Sequence, residues 1–218
     1  MKVHLTPPPI SSYNSLPAHL QLPNQRLGKH IRRLGRIFLR HPDSHRYALC
    51  LLHRHYDLRS GEIIVQYPTN GGVVSIAEPH LAPHQWSMLG VIPVAWHLGI
   101  GQEEEEEEEE EGNVGKIEGL VPYEFQFGRG KIKDLDMGFL QELGEFLERK
   151  RLGGLFGVCL AEEHTENTDI EIERMEGRGR RIVIEKSSQP VANGVPVKWK
   201  FYEGRDTSMI IRCIRMCV

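Results

Sequence analysis

Leu27, Ile31, Leu34 and Phe38 recur at intervals of three and four, while Arg26, Lys29, Arg33, Arg36 and Arg40 fall mostly elsewhere on the same wheel. That spacing predicts an amphipathic helix over 26–40. It ends at His41-Pro42, because the residue before a proline is pushed out of the α region. Tyr47 to Tyr56 reads as a strand and Gly61 to Tyr67 as a returning one, and Asn70-Gly71 is a tight-turn signal before Val73 to Ala77. Between 78 and 102 the prolines leave room for one short strand and argue against a central position for it. Further on, the pattern predicts a strand at Val121–Phe127, a helix over about Leu135–Lys150 and a strand at Leu155–Ala161. A hairpin follows from Ile170–Met175 and Arg181–Lys186, and Val195–Tyr202 and Met209–Met216 close the chain as two more strands.

The two helix–strand patterns match without a gap when the chain is shifted by 109 residues, half of its 218. Leu34-Gly35 falls on Leu143-Gly144, Cys50-Leu51 on Cys159-Leu160, and His55 on His164. The expected fold is therefore α+β: two similar lobes, each a helix on a largely antiparallel sheet, with an internal duplication behind them. Residues 1–24, with Pro7-Pro8-Pro9 and no periodicity, are expected to be a disordered arm; 25–100 form the first lobe and 120–218 the second. Between them, 101–119 contain nine consecutive glutamates, Glu103 to Glu111, and read as an acidic solvated linker.

That run masks the charge of the rest. The formal −3 comes from 27 basic and 30 acidic residues; without the nine glutamates the balance becomes +6. Ten of the 11 histidines lie before residue 103, so histidine chemistry belongs to the first half. No apolar run is long enough for a membrane span, and no apolar stretch of a secretory signal follows the start. The four cysteines, Cys50, Cys159, Cys213 and Cys217, sit on apolar runs and read as free thiols of a reducing, intracellular compartment. Cytoplasm or nucleus is expected. A mitochondrial role for the basic helix is disfavoured by its late start.

The sharpest chemical pattern is His53-Arg54-His55. On a strand, alternate side chains share a face, so two imidazoles would project together and could hold zinc, or ferrous iron with a carboxylate. His84, His97 or Glu62 could supply a third ligand. The motif is not that of the cupins, since a helix comes before it and Glu62 is too distant. The order strand, helix, three strands over 121–186, and less fully over 26–77, resembles the βαβββ module of vicinal oxygen chelate proteins. Those proteins use paired modules to bind a divalent metal, and the resemblance implies such a site between the halves. Cys50 to Leu58 with Gly61-Glu62 resembles a segment of a filamentous-fungal family of unknown function.

Arg33, Arg36 and Arg40 form a candidate anion-binding surface. Aromatic residues do not interleave with them, so a protein partner is expected before a nucleic acid. With no Walker loop, no dinucleotide-binding glycine pattern and no nucleophile elbow, the expected role is a soluble intracellular binding or interaction module. The alternative is a metal-dependent enzyme at His53 and His55.

Overall fold

The computed structural model describes residues 2–3, 10–18, 27–70, 72–79, 90–100, 117–127, 135–161, 169–177 and 180–218. In chain order the elements are β1 (Lys2–Val3), α1 (Ile10–Asn14), α2 (Gly28–Arg40), β2 (Tyr47–Leu51), β3 (Glu62–Thr69), β4 (Gly72–Pro79), β5 (Ile92–Ile100) and β6 (Ile117–Gln126). Then come α3 (Met137–Arg149), β7 (Phe156–Leu160), β8 (Ile170–Met175), β9 (Arg181–Ser187), β10 (Val195–Glu203) and β11 (Met209–Cys217).

Ten of these strands close on themselves. The order runs β6-β3-β4-β9-β8-β11-β10-β2-β7-β5, and β5 pairs back onto β6. The short β1 adds to the start of β6, where Lys2 stands opposite Gly119. The α+β expectation of two lobes, each with its own helix-covered sheet, is thereby overturned: the molecule is a closed β-barrel, with three short helices among the described residues. No sheet belongs to one half, because β2 sits between β10 and β7 and β4 pairs with β9. The paired βαβββ arrangement falls with it. The nine glutamates lie outside the described residues, and the strands on either side of them, β5 and β6, pair directly as one hairpin.

The ring is unchanged when β2–β6 are exchanged with β7–β11. Every neighbouring pair maps onto another neighbouring pair, including the two parallel ones, β3 with β6 and β8 with β11. Leu49 faces Val158 and Val74 faces Val183, positions 109 apart in both cases. The matching helix–strand patterns thus mark strands that pair side by side in the barrel wall, and the two helices, of 13 residues each, lie side by side outside it.

Strand parity separates two cores. On one face, Tyr47, Leu49 and Leu51 of β2 join Phe156 and Val158 of β7, Trp96 and Leu98 of β5, and Val197, Trp199 and Phe201 of β10. Against them pack Ile31, Leu34 and Phe38 of α2 and Phe139, Leu140, Leu143 and Leu147 of α3. The other sides of both helices are exposed, so this face is the outside of the barrel. Phe38 meets Phe139 edge-on at 4.8 Å, and Phe201 at the same distance. Gly35 lets α2 come this close, since a Cβ there would stand 2.4 Å from the Phe201 ring. Removing each of these side chains from water contributes about 1.5–3 kcal/mol.

The inner face mixes small and polar groups, Ala48, Cys50, Ala95, Tyr123 and Cys159, with the larger apolar Ile64 and Ile214. Into it reach Tyr13 and Leu16 from the segment expected to be a free arm. Residues 10–18 are held there by a bridge from Ala18 to Arg54, the Arg54 N–H to the Pro17 carbonyl at 2.8 Å, and reciprocal bonds between the Asn14 side chain and the Leu58 backbone.

The predicted strand at Tyr47–Tyr56 stops at Leu51. Conversely, β5 runs nine residues and is flanked on both sides despite its proline. Pro93 sits at a register shift, and Pro196 occupies the corresponding shift of β10, where a ladder tolerates a missing N–H. Among the described residues, no helix is long and apolar enough to cross a membrane.

Candidate metal centre

β2 delivers Leu51 to the barrel rim, and the chain beyond it turns irregular, so His53 and His55 are not on one strand face. Their rings instead pack edge to face, with centroids 5.0 Å apart. The last residues of β11 bring in Cys217, and β8, running parallel to β11, places Glu173 directly opposite it. The His53, His55 and Cys217 ligand atoms all lie within 4.8 Å of one another. His55 Nε2 is 2.6 Å from Glu173 Oε1 and 3.9 Å from Cys217 Sγ. His53 Nε2 is 3.5 Å from the same carboxylate oxygen.

Two details bear on whether a metal ion fits. His53 Nδ1 donates to the Leu51 carbonyl at 2.9 Å, which leaves Nε2 as the ring nitrogen facing the cluster. This buried Nε2 has no hydrogen-bond partner, although unsatisfied buried nitrogens are uncommon. Such a group fits a ligand atom facing its ion. Two nitrogens, a sulfur and a carboxylate oxygen are also the donors of tetrahedral zinc, whose ligand atoms stand about 3.5 Å apart.

The electrostatics agree with a crowded charged cluster. Burial would lower both histidines, but Cys217 and Glu173 outweigh it, raising His55 to about 9 and His53 well above its ordinary value. Burial would raise Glu173, yet the two histidines and Arg215 hold it well below the usual carboxylate range. Cys217 is lowered as well, burial being overcome by His53 and His55. Arg215 braces the carboxylates from inside the barrel, at 2.7 Å from Glu171 Oε2 and 3.6 Å from Glu173 Oε2.

The other sequence candidates go elsewhere. Glu62 is tied to Arg180 in an ion pair, and it accepts the Arg59 N–H at 2.6 Å. His97 is buried on the inner face of β5, near Ser12 Oγ at 3.2 Å and the Leu98 carbonyl at 2.9 Å. Burial lowers it to about 4, so it is neutral. His84 and His164 lie outside the described residues. Of the candidate anion site, Arg33 and Arg36 are exposed on α2, whereas Arg40 is paired with Glu142 of α3.

Cys217 and Glu173 were not among the sequence candidates. Cys217 is 162 residues from His55, and only barrel closure brings them together. The alternation Glu171-Ile172-Glu173 was the available signal, and it reads equally well as a solvent face. Compared with known proteins, the chain matches no family model, no curated protein and no solved structure.

Proposed function

We propose that this barrel is a zinc-binding protein whose ion is held by His53 Nε2, His55 Nε2, Cys217 Sγ and Glu173. The convergence of these four groups from three separate stretches of chain, around a buried imidazole nitrogen with no other partner, carries the reading. Four protein donors make a closed, structural set, whereas catalytic zinc keeps a position for water. The surroundings favour the same choice. The histidine and glutamate side chains are 3–9% exposed, and the adjoining cavity, lined by His53, Glu173 and Cys50, has a volume of about 20 Å³. That is room for a water and not for an organic substrate. The two histidines with Glu173 also satisfy a two-histidine, one-carboxylate set for ferrous iron; the thiolate shifts the preference to zinc. Bound there, the ion would tie the end of β11 and β8 to the connection after β2, and so pin one rim of the barrel.

The test is metal analysis of the full chain purified without a histidine tag, followed by cobalt substitution. One zinc per chain is expected, and the cobalt form should show sulfur-to-metal charge-transfer absorption that disappears in Cys217→Ser. A protein that retains no ion, gains no stability from added zinc and gives no cobalt spectrum overturns the proposal.

A further inference from the structure

The exchange symmetry of the barrel sets a second pair of groups face to face. Cys50 and Cys159 occupy matching positions on β2 and β7, on either side of the Leu49–Val158 pair about which those strands are symmetric. Both side chains turn inward, both are buried, and their sulfur atoms stand 2.7 Å apart. Among the described residues, neither belongs to a three-ligand group of the kind that His53, His55 and Cys217 form at the rim. Charged groups of both signs surround them: Lys198 of β10 stands opposite Cys50, and a cavity of about 30 Å³ is lined by Cys159, Lys198, Arg215, Glu124 and Glu171. The second cavity reaches Cys50 and Tyr123 and shares Lys198 and Arg215 with the first. About 30 Å³ holds roughly two water molecules, which is also the space a hydrogen peroxide molecule needs.

We infer that Cys50 and Cys159 form a peroxide-reactive dithiol inside the barrel. The Cys159 thiolate attacks one oxygen of the peroxide, the O–O bond breaks, and hydroxide leaves; Cys159 becomes the sulfenic acid. The Cys50 sulfur then attacks the Cys159 sulfur, losing its proton as the hydroxyl departs as water. The dithiol is oxidised by two electrons to a disulfide, and the peroxide is reduced to two waters. Position and charge assign the roles. Cys159 lines the larger of the two cavities and Cys50 the smaller. Burial raises both thiols, but at Cys159 the hydrogen bond from Cys50 and the charges of Lys198 and Arg215 outweigh it and lower the thiol. Cys50, the donor in that bond, is pushed well up by burial and by Cys159. Glu124 opposes the cations without cancelling them; the Gln66 amide donates to it at 2.8 Å. A thiolate with a protonated thiol in contact is the arrangement of an attacking and a resolving cysteine.

The inference does not rest on the zinc reading, since Cys217 lies in the other cluster, and the same samples separate the two. The full chain, zinc-loaded and chelator-treated, is exposed to a small excess of hydrogen peroxide, quenched, denatured, alkylated and mapped by mass spectrometry. Two of the four thiols should be lost, with Cys50 and Cys159 recovered as one linked peptide pair in both samples, whatever Cys217 does. In Cys50→Ser a sulfenic acid should be trapped at Cys159 by dimedone, while in Cys159→Ser position 50 should stay alkylatable. The unmutated chain alone decides the matter if either variant fails to fold. Full alkylation of Cys50 and Cys159 after peroxide, with oxidation confined to Cys213 or Cys217, overturns it.

Discussion

Two rims of the barrel are related by the exchange of halves, and they carry different chemistry. In the parallel pairing of β8 with β11, Glu173 stands opposite Cys217; in that of β3 with β6, the same place is taken by Gln66 opposite Gln126. All four side chains are buried. Two residues earlier along the same ladders, Glu171 faces Arg215 and Ile64 faces Glu124. The scaffold therefore repeats while its charges do not. One rim concentrates anionic donors and imidazoles, and its counterpart carries neutral amides, Gln66 donating to Glu124. Architecture here depends on apolar spacing on the outward strand faces, and chemistry on a few inward positions that vary without disturbing it.

The largest effects should fall on what the halves share. Leu34 of α2 and Leu143 of α3 are matching positions, both with 0% exposure in the outer core. Replacing either with alanine should cost about 3–5 kcal/mol, the range for a buried leucine that leaves a cavity. Because one ring contains strands from both halves, each variant should lower a single cooperative transition by a similar amount. Two separate denaturation transitions, one of them unchanged, would show that the halves fold independently and would break the comparison.

His97 probes a difference on the inner face. Burial brings it to about 4, whereas in the unfolded chain it titrates near 6.5. Between those values the unfolded state binds the proton and the folded state does not, so stability falls as pH drops from about 6.5 to about 4, then levels. The loss from this residue is about 3 kcal/mol. Denaturant unfolding of the parent between pH 7 and pH 4 should therefore lose about 3 kcal/mol more than His97→Gln does. Equal losses would mean that His97 takes up its proton without leaving the barrel.

Zinc sharpens the contrast between the rims. At a free concentration a hundred times its dissociation constant, an ion bound only by the folded chain adds about 2.7 kcal/mol. That gain should vanish in Cys217→Ser and persist in Gln126→Ser, its counterpart. Equal loss in both variants would assign the effect to general destabilisation.

How much of this the chain disclosed follows from the same division. The periodicities placed α2 and α3 within about two residues, because an amphipathic helix packed on a sheet must show its apolar stripe. Of the residues matched at the 109-residue shift, Cys50 and Cys159 do come face to face, but the match was read as two separate lobes and not as strands of one barrel. Closure was hidden, because a strand with alternating apolar and polar residues looks the same whether its polar side meets water or a charged interior. Lys198, Arg215 and Glu124 were of that kind and gave no sign of pointing inward. His53 and His55 were legible as a pair by spacing, yet the reason offered, a shared strand face, does not hold, since the strand ends before them. Their companions came from β8 and β11, and no local pattern links stretches so far apart. Residues 10–18 were misread because prolines and serines suggested an arm, while Tyr13 and Leu16 were the apolar groups that anchor it.

The smallest predicted effect compares the starts of the two helices. At α3, Asp136 adopts an extended conformation and its carboxylate accepts the Phe139 N–H at 2.9 Å. The Asp136 N–H in turn donates to the Tyr47 hydroxyl at 2.9 Å, fixing the helix to β2. At α2 the corresponding place is held by Leu27, which is itself helical and offers no side-chain bond. A cap of this kind contributes about 1 kcal/mol by satisfying a donor that the first turn cannot. Asp136→Ala should therefore lower stability by about 1 kcal/mol, and Asp136→Asn, which keeps the acceptor, by much less. Leu27→Ala removes no cap and should cost only the packing of a partly buried side chain against the outer core. If Asp136→Ala proves neutral, the start of α3 is held by its apolar face and by Tyr47 alone, and the two helices are more alike than their ends suggest.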